Sequence, residues 1–222
     1  MPVGFRYVAC VTDDPRLDAA AALRRLNDAF VAHDADDTLL TRIADGARAA
    51  TTELHAGERR DRAALLAAHF GRRTAADPVD EALRSTDNPM TDRAVCGTTN
   101  PLAAECTFSY EGDEVVVRTV LGAAYEGAPR RSHGGMVAAL FDDIAAGVLP
   151  LAGVAAYTGE LTVRYLRPVP IEEPLEFRAR IDGHEGRKLR ASADCIADGV
   201  VVATAHVLYI TVDTAEFGQP TG

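Results

Sequence analysis

The sequence predicts an α+β fold: a highly curved antiparallel sheet wrapped around one long buried helix, with an α-helical extension ahead of it. Three observations predict this. From His133 onward, Met136, Val137, Leu140, Phe141, Ile144, Val148 and Leu149 leave a helix no obvious solvent face, so it belongs inside a core. Around it, segments alternate apolar and polar residues with period two; Leu175, Phe177, Ala179 and Ile181 interleave with Glu176, Arg178, Arg180 and Asp182. Before residue 72, by contrast, the apolar residues recur at helical spacing.

The N-terminal region opens with a short apolar run, Phe5 to Val11, which ends at Thr12-Asp13-Asp14-Pro15. Asp followed by Pro marks the first turn of a helix. That helix, Arg16 to His33, places Leu23, Leu26 and Phe30 on one face. After the acidic break at 34–37, a second helix carries Leu39, Leu40, Ile43, Ala47 and Leu54. Gly57 interrupts, and a third runs from about Arg59 to Phe70. The three read as a packing or dimerisation accessory over residues 1–71. Residues 72–101, rich in Pro, Asp and Thr, read as a linker that wraps onto the next domain.

The sheet domain is expected over residues 102–215, with a tail at 216–222. Strands Ala104 to Tyr110 and Glu114 to Leu121 flank the turn Glu111-Gly112-Asp113. The buried helix follows, and then a strand from Glu160 that Pro168 and Pro170 end. The alternating strand from Leu175 comes next. Lys188 to Ala197 and Val200 to Val212 are joined at Asp198-Gly199, a strong two-residue hairpin signal.

A net charge of −10 without long Lys or Arg runs argues against nucleic acid and anionic membrane as partners. No stretch is expected to reach the length of a membrane span, and the N-terminus lacks the pattern of a secretory signal. Cys10, Cys96, Cys106 and Cys195 are too scattered for a zinc ribbon or a CxxC pair. They read as separate reduced thiols, and the expected location is cytoplasmic.

The chemistry concentrates at His133-Gly134-Gly135 and at Asp142. The first amides of a helix have no partner within it and sit at its positive end. Glycines there let a polarised carbonyl approach the amides of Gly134 and Gly135, as an oxyanion hole requires. Asp142 and Asp143 lie mid-helix among apolar neighbours, where an unpaired charge is costly. Since they are about 100° apart around the helix, only one can face a given site. Asp142 lies roughly 10–12 Å along the helix from the glycines, too far for both to act on one carbonyl. A two-fold dimer that sets the glycine end of one copy opposite Asp142 of the other would bring them together.

This stretch and the strands after it, about Asn100 to Asp213, resemble the hot-dog thioesterases. The similarity is to the phenylacetyl-CoA thioesterase (PaaI-like) group and to the 4-hydroxybenzoyl-CoA thioesterase type. That group shows His-Gly-Gly with an acid nine residues after the His, as His133, Gly134, Gly135 and Asp142 do here. The resemblance implies that Asp142 is the catalytic carboxylate, as general base or as nucleophile. It further implies that Gly134 supplies the oxyanion amide, that Gly135 allows tight packing, and that His133 sits beside the thioester. Thr158 stands where related enzymes carry a Ser or Thr that positions water or substrate. One departure is Gly127, since many members carry Asn or Gln six residues before the His.

Arg130 and Arg131 before the motif, and Arg187 and Lys188 after Gly186, are candidate contacts for coenzyme A phosphates. Asp143 is expected to be structural, paired with an Arg. No metal or resident cofactor is expected, and acyl-CoA is the expected substrate. A homodimer or dimer of dimers with sites at the subunit interface is the expected assembly. The Asp-x4-His spacing of hot-dog hydratases occurs at Asp28 and His33, in the helical extension, and reads as chance. Gly-x-Ser-x-Gly, His-Glu-x-x-His, P-loop and Gly-x-Gly-x-x-Gly motifs are missing from the sequence. The rival of another class is a non-catalytic acyl-CoA binder or ligand sensor on the same fold.

Overall fold

The computed structural model describes residues 14–61, 64 and 89–213. The run Phe5 to Val11, Cys10 and most of the third helical segment lie outside them. Helix α1 (Pro15–Ala32) begins where Asp14 accepts hydrogen bonds from the Arg16 and Leu17 amides at 2.7 and 3.3 Å, with Pro15 in the first turn. Helix α2 (Asp37–Ala56) is capped by Asp36, which accepts from the Leu39 amide at 2.7 Å, and it stops at Gly57. Both starts follow from local capping chemistry; the sequence marks the first by Asp14-Pro15 and the second only by the acidic break at 34–37.

The two helices differ in what they cover. Helix α1 docks on the domain: Arg24 donates to the Thr98 and Asn100 carbonyls, each at 3.0 Å, and Asn27 to the Pro101 carbonyl at 3.4 Å. Asp28 accepts from the Ala124 amide at 3.1 Å. Any Cβ on Gly122 would fall 2.2 Å from that carboxylate, so the approach requires glycine. Helix α2 buries no residue, and its expected docking stripe is uncovered among the described residues. Periodicity defines such a stripe but names no partner for it.

The sheet has six antiparallel strands: β1 (Cys106–Glu111), β2 (Glu114–Val120), β3 (Ala155–Tyr165), β4 (Pro174–Glu185), β5 (Lys188–Ala197) and β6 (Val200–Val212). Their order is β1-β2-β4-β5-β6-β3, so β3 is an edge. The β5–β6 hairpin turns at Asp198-Gly199, with φ of 49° and 71°, as an Asp-Gly turn favours. β3 begins five residues before the expected Glu160. A register shift between Thr158 and Glu160 breaks the alternation there and hides the strand's start in the sequence.

Helix α3 (Gly134–Ala145) fills the concave face. Val137, Leu140, Phe141 and Ile144 are fully buried against Val115, Val117, Phe177, Ala179, Leu189 and Ala205. Phe141 meets Phe177 edge-on, with ring centroids 5.2 Å apart. Each such large side chain contributes on the order of 1.5–3 kcal/mol by leaving water. The helix is shorter than the sequence implies. It tightens into a 3₁₀ turn at Ala146–Val148 and resumes as one turn, α4 (Leu149–Ala152). Pro150 removes a donor there and cannot continue a regular helix.

One expectation is corrected. The helical stretch Gly134–Ala152 is 19 residues long with mean hydropathy 1.6, enough by length and composition to cross a membrane. Its apolar side chains pack instead against the sheet, which accounts for that composition without a bilayer. Among the described residues the cysteines are free thiols, and Cys96 and Cys106 lie with their sulfurs 3.6 Å apart, because the segment before β1 folds back into the core. Their mutual contact, and then burial, push the Cys96 thiol far above the usual range.

Candidate active site

The site begins at the N-terminus of α3. His133 caps the helix, and its Nδ1 accepts from the Gly135 amide at 3.1 Å. A neutral His133 in this geometry carries its proton on Nε2. The Gly135 amide, expected to face a carbonyl, is therefore already engaged. Among the described residues no acceptor meets the Gly134 amide. The one free donor at this helix end is thus the one the motif resemblance singled out.

The glycines are used as close-approach positions. A Cβ on Gly135 would lie 3.0 Å from the His133 ring. The Gly134 carbonyl accepts from the Tyr165 hydroxyl, which a Cβ on Gly134 would meet at 3.4 Å. Gly127 is the tightest of the three, for a Cβ there would stand 2.8 Å from the His133 Cα. The loop is pinned in that position, with the His133 amide donating to the Tyr125 carbonyl at 2.8 Å and the Gly127 amide to Arg131 at 2.9 Å. Here an Asn or Gln at 127 would have to displace His133. Gly127→Asn should lower stability by about 1–3 kcal/mol, read as a lower midpoint in thermal unfolding, without raising turnover.

Asp142 and Asp143 separate as helix geometry requires. Asp142 is half-buried, and its Oδ1 accepts from the Thr158 hydroxyl at 2.8 Å. Thr158 can reach it because the bulge beside Gly159 re-aims the strand at this point. Asp143 instead holds Arg93 at 3.1 Å and accepts from the Cys96 amide at 2.8 Å. Arg93 in turn stacks over the Phe108 ring at 5.5 Å. One acid therefore anchors the segment before β1, and the other faces a hydroxyl.

His133, Gly134 and Gly135 gather at one end of α3 beside Tyr165, while Asp142 and Thr158 sit toward the other end. Thr158 and Tyr165 are seven residues apart on β3, about 23 Å less the shortening of the bulge. The basic residues divide in the same way. Arg130, at φ 62° with its amide donating to Glu126, and Arg131 flank the His133 end. Arg187 and Lys188 lie at the β4–β5 turn, where Arg187 donates to the Thr211 carbonyl at 3.2 Å. Lys188 is across from Ile210, whose other neighbour is Tyr157, so this turn lies at the Thr158 end. Within one chain the two basic pairs are not brought together.

The sequence did not single out Tyr165 or Arg93, and it marked Asp28 only for a spacing to His33 that reads as chance. Tyr165 was visible only as an apolar position in an alternating strand. Arg93 lay in a stretch read as linker, and Asp28 in a helix with no assigned motif. Contacts distant in sequence give such residues their roles.

Comparison with known proteins agrees with this architecture. The sequence model of the thioesterase superfamily matches residues 132–194, from the His133 loop to β5. A crystal structure of a thioesterase superfamily protein superposes with a TM-score of 0.71 at 24% identity, covering 89% of this chain and 96% of that one. A hypothetical thioesterase from Streptococcus pneumoniae, solved with coenzyme A, gives a TM-score of 0.46 at 18% identity over 49% of this chain and 89% of that one. The PaaI protein from the phenylacetic acid degradation operon of E. coli gives 0.45 at 20% identity over 47% and 82%. The resemblance to the hot-dog thioesterases is thus shown in fold over most of the chain and in sequence over residues 132–194.

Proposed function

We propose that this hot-dog protein, with its thioesterase superfamily segment, hydrolyses acyl-CoA thioesters to free acid and coenzyme A, with the sites at the interface of a two-fold dimer. The observation that carries the reading is the Thr158–Asp142 hydrogen bond, on a core helix whose other charged residue, Asp143, is paired elsewhere. Half-buried Asp143 is matched with a cation, whereas Asp142 is matched with a hydroxyl and keeps acceptor capacity for a reacting group. Asp142 then acts on the thioester either as general base for water or as nucleophile. The carbonyl oxygen takes the Gly134 amide of the partner as its charge develops, the C–S bond breaks, and the proton taken from water passes to the departing thiolate; in the nucleophilic route water then hydrolyses the acyl–Asp142 anhydride to free the acid.

The edge position of β3 supports the dimer. Its outer side has no partner strand among the described residues, and Tyr157, Tyr165 and Leu166 are about half exposed. A long exposed edge of this kind is a template for pairing. Antiparallel pairing of β3 with its copy would oppose the Thr158 end of one strand to the Tyr165 end of the other. Asp142 of one protomer would then face the Gly134 amide of its partner. The same operation would bring Arg187 and Lys188 toward the partner's Arg130 and Arg131, making one basic rim for coenzyme A phosphates.

The experiment is thiol release from short, medium, long and aromatic acyl-CoAs, with the mass in solution measured alongside. Turnover by a dimer or dimer of dimers is the expected result. Acyl-CoA binding without turnover on any of them would move the assignment to a non-catalytic binding protein.

A further inference from the structure

Tyr209 presents a cost that packing does not explain. The residue is 1% exposed, and its hydroxyl meets no hydrogen-bond partner among the described residues. A buried hydroxyl left unpaired is costly, and Phe would fill the same space without that cost.

Its surroundings narrow what the hydroxyl serves. Tyr209 on β6 is directly across from Thr158 on β3, so the two side chains share a face with Cβ atoms about 4.5–5.5 Å apart. On the other side its neighbour on β5 is Leu189, which offers no polar atom. The charged groups facing it come from α3: Asp142 and Asp143, the latter tied to Arg93. Burial first, and then these two carboxylates, push the Tyr209 phenol above its ordinary range, so it remains a donor. Asp143 has both oxygens engaged, one by Arg93 and one by the Cys96 amide. Asp142 has one oxygen on Thr158, and its other oxygen accepts from no side chain among the described residues.

We propose that Tyr209 is a positioning residue for the reaction: its hydroxyl donates to the second oxygen of Asp142, directly or through one water, as that carboxylate carries its charge. With Thr158 on the first oxygen, the acid is then held by two donors and cannot swing about its Cβ–Cγ bond. The proposal rests on Asp142 being the working acid, as argued above.

The test compares wild type, Tyr209→Phe and Asp142→Asn in steady-state thiol release from pH 5 to 9, with thermal unfolding of each. Tyr209→Phe should lower kcat about tenfold with KM within twofold. Its unfolding midpoint should stay close to that of wild type, since Phe fills the same space and the donor lost to Asp142 is offset by removal of a buried polar group. An unchanged kcat would overturn the proposal, as would a large fall in midpoint, which would show the hydroxyl to be structural. If wild type itself turns over no acyl-CoA, the thioesterase reading fails and this proposal with it. An active wild type beside an unaltered Tyr209→Phe refutes only the present one.

Discussion

Asp142→Asn should lower thiol release by roughly 10²–10⁴-fold, the range associated with a positioned acid or base, while unfolding at nearly the wild-type temperature. The amide is close in shape to the carboxylate and can still accept from Thr158, so the local packing persists. What disappears is the capacity to take a proton or attack a carbonyl. Asp143→Asn makes the control. It weakens the 3.1 Å pair with Arg93 on a side chain only 14% exposed, so it should lower the unfolding midpoint while kcat stays within about threefold. Steady-state kinetics and calorimetry on the two variants separate chemistry from architecture. Equal losses of turnover in both would show that the two acids had been assigned the wrong roles.

Gly97→Ala should be the most destabilising small substitution, by about 2–3 kcal/mol, in the upper part of the range for overpacking. A Cβ at 97 would stand 2.3 Å from the Arg93 carbonyl oxygen, 2.4 Å from the Arg93 nitrogen and 2.4 Å from the Thr91 carbonyl oxygen. All three are backbone atoms, so no rotamer change relieves the conflict. The segment would have to open, and it carries Arg93 to Asp143 and the Cys96 amide to the same carboxylate. Denaturant unfolding should show the loss in midpoint. A midpoint unchanged within error would mean that the turn around Gly97 is not close-packed in solution.

The parts of the fold legible in sequence were those determined by neighbours along the chain. The Asp14-Pro15 helix start, the Asp198-Gly199 turn and the period-two strand from Leu175 all involve residues within a few positions of each other. So does the spacing from His133 to Asp142 on one helix. The pairing of Asp143 with an Arg was readable as a need, because a half-buried acid requires a partner. That the partner is Arg93, about fifty positions away, was not readable. The same holds for Cys96 beside Cys106, and for His133 lying so close to Gly127 that no side chain fits there. The start of β3 was hidden by its own bulge, and the break in the central helix by apolar residues that suit a 3₁₀ turn as well as an α-turn.

Helix α1 touches the domain at the chain around residue 100 and at the turn Ala123–Tyr125, and the carbonyl of Tyr125 receives the His133 amide. The loop carrying His133 is therefore clamped between the core helix it caps and a surface helix with a single buried residue, Ala20. Segments so joined open together, at the free energy of the weaker one. Amide hydrogen exchange at His133 and Gly127 should follow the fraying of α1 and run faster than exchange in β5 or in the middle of the central helix. The entrance to the site would then breathe on the timescale of its outermost helix, while the acid at Asp142 keeps the rigidity of the core.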